Sequence, residues 1–222
     1  VGQAPESFAA LLDADALSGA RIGIMREPMG YHTEPDADDF ARVDQVFGQA
    51  LEDLAKAGAE LVDPVGIPDL MALLGTRANN PEDEDAAFDE YFGTAEGAPY
   101  ASRAEAMASP LFEQVTRRAK ARWQTNHTRD AHYDYLRARD LLMTRFLKLM
   151  ADHGLDAIVH KAVEHEPTLI KDGVNPPFVD QKGAPHINTF LVFVPSIVVP
   201  AGFTTADLPA GITFLGQPYD DA

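Results

Sequence analysis

Pro195-Ser196-Ile197-Val198-Val199-Pro200-Ala201-Gly202-Phe203, followed by Leu208-Pro209-Ala210-Gly211-Ile212-Thr213-Phe214-Leu215-Gly216-Gln217-Pro218-Tyr219, is the stretch that decides the fold. Ile197-Val198-Val199 and Ile212-Thr213-Phe214-Leu215 are apolar runs, rich in β-branched and aromatic residues and bounded by Gly and Pro. Such runs read as two short buried strands joined by a turn-rich loop. Upstream, residues 155–159, 60–62 and 20–25 read as further strands. Between the last two, residues 38–57 carry Val43, Val46, Phe47, Ala50, Leu51 and Leu54 on one stripe of a 3.6-residue period. Asp36, Asp38 and Asp39 sit at the positive end of this helix, and Gly58 stops it. Strand, helix and strand in that order predict a parallel crossover.

The middle of the chain reads as helical. Residues 69–74 form a short helix, Ser109-Pro110 opens another with Pro at its first position, and residues 128–153 form a long one. Its stripe is Leu136, Met143, Leu147 and Met150, widened by Leu142, Phe146 and Leu149, and Gly154 ends it. Residues 79–108 read as an irregular acidic connector in which Asp83, Glu84 and Asp85 make a solvated turn. Residues 166–185, with Pro167, Gly173, Pro176, Pro177, Gly183 and Pro185, read as a long irregular segment, either a site wall or a solvent loop. The fold class expected is α/β, a mixed sheet flanked by helices, with residues 1–222 forming a single unit.

Charge narrows the partners. The 222 residues hold 18 Lys+Arg against 35 Asp+Glu, a net charge of -17. A nucleic-acid footprint or an anionic lipid surface needs a basic face, so neither partner is expected. With no cysteine there is no disulfide framework, thiol nucleophile or thiolate-bound metal. No run approaches the roughly 20 apolar residues of a membrane span. The longest, residues 190–200, is broken by Pro195 and Ser196. The start at Val1 has no secretory pattern, and a cytoplasmic location is expected.

The closing segment resembles that of the amidase signature family, in which a P-(A/S)-I-(S/V)-V-P-A-G-F strand precedes L-P-(V/A)-G-(I/L)-x-(F/L)-(L/V)-G-x-P-(F/Y). Three further pieces resemble the family in the right order. They are Leu17-Ser18-Gly19-Ala20-Arg21-Ile22-Gly23-Ile24-Met25-Arg26-Glu27, residues 50–64 with Ala57-Gly58-Ala59-Glu60-Leu61-Val62-Asp63-Pro64, and Gly154-Leu155-Asp156-Ala157-Ile158-Val159. The resemblance covers nearly the whole chain but only the C-terminal half of the family pattern. It implies a hydrolase that turns a linear amide and water into a carboxylic acid and ammonia or amine, with no cofactor and no metal. The family's nucleophile lies in a G-G-S-S-G-G loop, activated by a Lys through a bridging Ser, because an unassisted serine hydroxyl is a weak nucleophile. Here the serines are Ser7, Ser18, Ser102, Ser109 and Ser196, with no Ser-Ser pair and none in a Gly-rich loop. No catalytic residue is therefore assigned, and the chain alone is expected to be inactive.

What the resemblance does imply is a substrate-pocket wall. Where the family often has N-x-x-G-x-P before its strand, Phe190 and Phe193 stand at the Asn and Gly positions, preceded by His186, Asn188 and Thr189. Two rings there either favour apolar acyl groups or pack in the core. Trp123 is a further candidate for this wall; with Tyr133 and Tyr135 it either lines a lid or is packed. After the Asp156 strand the family often continues P-T, whereas this chain has His160-Lys161-Ala162-Val163. His160, Glu164, His165, Glu166 and His186 lack H-E-x-x-H spacing, and the histidines read as surface or capping residues; a zinc hydrolase is the minor alternative. His127 and His132 read as structural residues on different sides of one helix. The implied partners are a small amide and either the catalytic half of an amidase or a companion chain, with a homo-oligomer also expected because a divided sheet exposes an edge. The remaining alternative is a non-catalytic scaffold or binding module built on the amidase fold.

Overall fold

The computed structural model describes residues 7–93, 95–115 and 117–220. Its strands are β1 (Arg21–Met25), β2 (Glu60–Val65), β3 (Ala157–Lys161), β4 (Ser196–Phe203) and β5 (Pro209–Leu215). The helices are α1 (Asp38–Lys56), α2 (Leu70–Leu74), α3 (Pro81–Phe92), α4 (Arg103–Ala108), α5 (Arg117–Gln124), α6 (Arg129–His153), α7 (Ile170–Val174) and α8 (Ile187–Phe190). The strands form one mixed sheet in the order β2-β1-β3-β5-β4. β1 runs parallel to β2 and β3, while β5 is antiparallel to β3 and β4. The α/β class and the strand–helix–strand crossover follow the expectation.

The chain divides into two compact units rather than the single unit expected. Of the described residues, the first comprises 7–74, 139–167 and 181–220, and the second comprises those of 75–138 and 168–180. The sheet belongs to the first. Its α1 stripe is buried at Val43, Val46, Phe47 and Leu51. Phe47 and Leu51 pack with Ile22, Ile24, Ala59, Val159 and Ile212 in one core cluster. Lys161 lies two residues beyond Val159 and so shares this face. Its ammonium reaches Asp44 on α1 (2.7 Å) and lies 3.8 Å from the Phe40 ring centroid. A nearly inaccessible lysine is tolerated because both its charge and its stem find partners.

The opposite face carries Ile158 paired with Leu215 and His160 paired with Thr213, all buried. β3 starts two residues later than the sequence suggests because Asp156 is used otherwise. Its carboxylate accepts the Arg21 N–H (2.7 Å) and its own N–H donates to the Arg21 carbonyl (2.8 Å). In the part of α6 within this unit the buried stripe is Leu142, Phe146 and Met150. Leu147, expected on it, is 36% exposed, since positions four apart stay on the inward face and position 147 turns away.

The second unit corrects the irregular connector at 79–108. Most of that span is α3 and α4, and Thr94 lies outside the described residues. Pro81 opens α3 at a position where its missing N–H costs nothing, and Phe88 and Phe92 stack one turn apart at 4.8 Å. Asp83, Glu84 and Asp85 lie within this helix, not in a turn. α4 starts on a reciprocal cap. Ser102 Oγ accepts the Glu105 N–H (3.1 Å), and the Glu105 carboxylate accepts the Ala101 N–H (2.8 Å). Ser109 caps a 3-10 helix, Pro110–Gln114, rather than an α-helix. His127 lies outside α6, and His132 Nδ1 donates to the Ala78 carbonyl (3.0 Å). Within 166–185 only α7 is regular.

The core cluster predicts that Phe47→Ala costs about 3–5 kcal/mol in urea unfolding, the usual loss for a fully buried ring. A loss below roughly 1 kcal/mol would mean that α1 is not held to the sheet through this ring.

Candidate functional site

Glu164, three residues beyond β3, is 3% exposed. A carboxylate in that position needs its lone pairs filled. The loop after β1 fills them: Met29 N–H donates to Oε1 (2.7 Å), Gly30 N–H to Oε2 (3.0 Å), and the Thr33 hydroxyl also to Oε2. The backbone continues the lock. Glu164 N–H donates to Gly183 (2.9 Å), Gly183 N–H to Tyr31 (2.7 Å), and Tyr31 N–H to Ala184 (3.1 Å). Gly30 forms an antiparallel bridge with Pro185. Glycine is required at both crossing points. A Cβ on Gly30 would lie 2.4 Å from the Gly183 carbonyl carbon, and one on Gly183, at φ +71°, would lie 2.8 Å from the His165 ring.

The next two residues are also committed. Glu34 N–H donates to His165 Nε2 (2.9 Å), so the ring proton sits on Nδ1, which donates to Asp39 (2.9 Å). Arg42 grips Glu166 with two parallel hydrogen bonds (2.8 and 2.6 Å), and Thr204 donates a third (2.6 Å). The Arg42 hydrogen bonds, then the one from Thr204, hold the Glu166 carboxyl below its ordinary value against the pull of burial. His160 Nδ1 donates to the Lys161 carbonyl (2.7 Å), whereas its Nε2 is buried with no partner among the described residues. Burial pushes the His160 imidazole below the usual histidine range. His160 and His165 are therefore interior, not the surface or capping groups expected. Two of the residues that the zinc alternative would use, Glu164 and His165, have both polar atoms in hydrogen bonds within the protein. Among the described residues no group of three or more His, Asp or Glu side chains is arranged to hold a metal.

The strap 183–185 leads directly into α8, where most of the expected wall residues lie. His186 precedes its first turn, with its ring edge-on to Tyr31 at 5.6 Å. Thr189 donates to the His186 carbonyl (2.7 Å), and Asn188 donates to Ser196 Oγ on β4 (3.0 Å). Phe190 is a core residue, 1% exposed, while Phe193 projects into solvent at 76%. The turn between α8 and β4 explains the split: Leu191 and Val194 point inward, leaving Val192 and Phe193 at its tip. β4 is an edge strand, and Ile197, Val198 and Phe203 on it are also exposed. The strand pair expected to be buried is thus buried on β5 and open on β4. Trp123 belongs to the second unit, where it packs edge-on to Phe88 (6.2 Å) and beside Phe112 (6.0 Å).

A family profile described as Amidase matches residues 3–222. The chain belongs to the Amidase family. It is 27% identical over 219 residues to a glutamyl-tRNA(Gln) amidotransferase subunit of Rhodopseudomonas palustris, an alignment covering 93% of the chain and 43% of that protein. The native peptide amidase of Stenotrophomonas maltophilia superimposes with a TM-score of 0.64 at 24% identity, covering the whole chain and 44% of the amidase. A crystal structure described as PAM12A gives a TM-score of 0.71 at 24% identity, again over all of this chain and 44% of that one. The chain spans less than half the length of these relatives.

In this amidase-family chain the shifts of His160 and Glu166 predict two contributions to acid destabilisation. His160 takes up a proton more readily when unfolded, so its contribution is intact above the ordinary histidine value of about 6.5 and falls as pH drops below it. Glu166 is depressed when folded, so its contribution is intact above the ordinary carboxylate value of about 4.3 and is lost as pH falls through its folded value. In melting-temperature scans, His160→Asn is expected to flatten the upper step alone and Glu166→Gln the lower alone. A wild-type profile retained in either variant would contradict the assignment.

Proposed function

We propose that this chain forms the substrate-side portion of an amidase signature hydrolase, which converts a linear amide and water into a carboxylic acid and ammonia or amine. In this reading the nucleophilic serine, the bridging serine and the lysine that takes the proton are supplied by a catalytic portion outside residues 1–222. The observation that carries it is the fate of the serines described. Ser102 and Ser109 cap helices through their hydroxyls, Ser196 bonds Asn188, Ser18 lies in the turn before β1, and Ser7 precedes the 3-10 helix Phe8–Leu11. The hydroxyls of Ser102, Ser109 and Ser196 are placed for structure, and among the described residues no lysine or histidine base bonds any of the five.

The open β4 edge supports the second half of the reading. A strand with unpaired backbone and exposed apolar side chains favours another segment that pairs with it. The catalytic portion of the amidase is the proposed occupant, and a second copy of this chain is the alternative. The relative from Rhodopseudomonas palustris is named as one subunit of an amidotransferase, which agrees with a companion. Residues 186–193 would then border the acyl group, with Phe193 rather than the core residue Phe190 available to it.

The purified chain is expected to release no ammonia or amine from simple aryl and aliphatic amides. Mixed with a separately produced amidase portion carrying the Gly-Gly-Ser-Ser-Gly-Gly loop, it is expected to gain activity and a defined mixed mass by light scattering. Turnover by the chain alone, or a stable complex that stays inactive with every amide offered, would overturn the proposal.

A further inference from the structure

The second unit contains a pocket lined by Trp123 together with residues that the amidase reading leaves unassigned. Its volume is about 260 Å³, and its walls come from α3, α5 and the start of α4. Phe88, Phe92 and Trp123 supply aromatic surface, and the exposed Tyr91 stands at the rim. Two arginines, Arg103 and Arg122, and one glutamate, Glu84, complete the lining, which leaves a single positive charge.

The arginines differ in what they already hold. Arg103 is spent inside the protein: it pairs with Glu84 (2.8 Å) and Asp85 (3.3 Å), donates to the Trp123 carbonyl, and sits 5.7 Å from the Trp123 ring centroid. The second oxygen of Glu84 accepts from Asn79 (2.7 Å), so that carboxylate is filled as well. Arg122 is exposed and has no ion-pair partner among the described residues. In a chain of net charge -17, an arginine left without a carboxylate beside an aromatic cavity stands apart.

We propose that this pocket binds an aromatic carboxylate, with the ring among Phe88, Phe92 and Trp123 and the carboxylate on Arg122. One planar guanidinium matches one carboxylate through two parallel hydrogen bonds. The aromatic walls take a ring through edge and face contacts and exclude water around it. A neutral amide of the same shape would keep the ring contacts and lose the charge-assisted bonds. The pocket is read by binding, not turnover, so its test does not depend on the proposed hydrolysis.

Trp123 is the only tryptophan in the sequence, so its emission reports on this pocket directly. The whole chain is titrated with phenylpropionate, phenylpropionamide and propionate, and calorimetry of the same titrations covers a ligand that leaves the emission unchanged. The expected result is saturable binding of phenylpropionate, at least about tenfold tighter than the amide, with no saturation by propionate. In Arg122→Gln, a substitution at an exposed position, the acid is expected to fall to the affinity of the amide. No saturable binding of the acid, equal binding of acid and amide, saturation by propionate, or full affinity in Arg122→Gln would each overturn the proposal.

Discussion

The Glu164 carboxylate is the interaction on which the first unit's candidate site depends. It is buried three residues past a central strand, and it accepts from Met29, Gly30 and Thr33. A charge taken out of water this completely is stable only with its hydrogen bonds made, and it becomes a large penalty when one is withdrawn. The loop after β1 is therefore fixed in shape by a residue more than 130 positions away in sequence. Because that loop pairs with the 183–185 strap, the same carboxylate sets where α8 begins. His165 and Glu166 extend the anchoring to α1 and to the β4–β5 turn through Asp39, Arg42 and Thr204. Three consecutive polar residues thus replace what an apolar contact would do elsewhere, and they do so with direction.

This arrangement gives the site a rigid side and an open side. The rigid side is the strap and α8, held by buried polar bonds and by Phe190 in the core. The open side is the turn with Phe193 and the edge strand β4 with Ile197 and Val198 exposed. A sheet is closed where it is paired on both sides, so β5 is buried and β4 is not. Family membership and the proposed function meet at this point: the fold is that of an amidase, and its open edge lies beside the residues proposed to face the acyl group.

Much of the sheet was legible in the sequence because strands and α1 declare themselves through local periodicity. Ile197–Val199, Ile212–Leu215 and the Val43–Leu54 stripe needed only composition and spacing. α3 was missed because its run of acidic residues looks solvated, and the Phe88–Phe92 pair that anchors it is a single helical turn. Phe190 and Phe193 have the same side chain, and only the turn between them decides that one is buried and the other exposed. His160, Glu164 and His165 were visible as a cluster, with the histidines read as surface or capping groups, since most of their partners are backbone N–H groups and carbonyls that sequence does not display. Gly30 and Gly183 were the available signal: two glycines in Pro-containing loops that cross where no side chain fits.

The most direct measurement is amide hydrogen exchange at Met29 and Gly30 in the wild type and in Glu164→Gln. The substitution places an NH2 group where an N–H donor now points, and leaves α1 and the strands untouched. Strong protection of both amides in the wild type, lost in the variant while Ile22 and Ile24 in β1 keep theirs, is the result this account predicts. Unchanged protection at Met29 and Gly30 in Glu164→Gln would contradict it, because the loop would then be held by something other than the buried carboxylate.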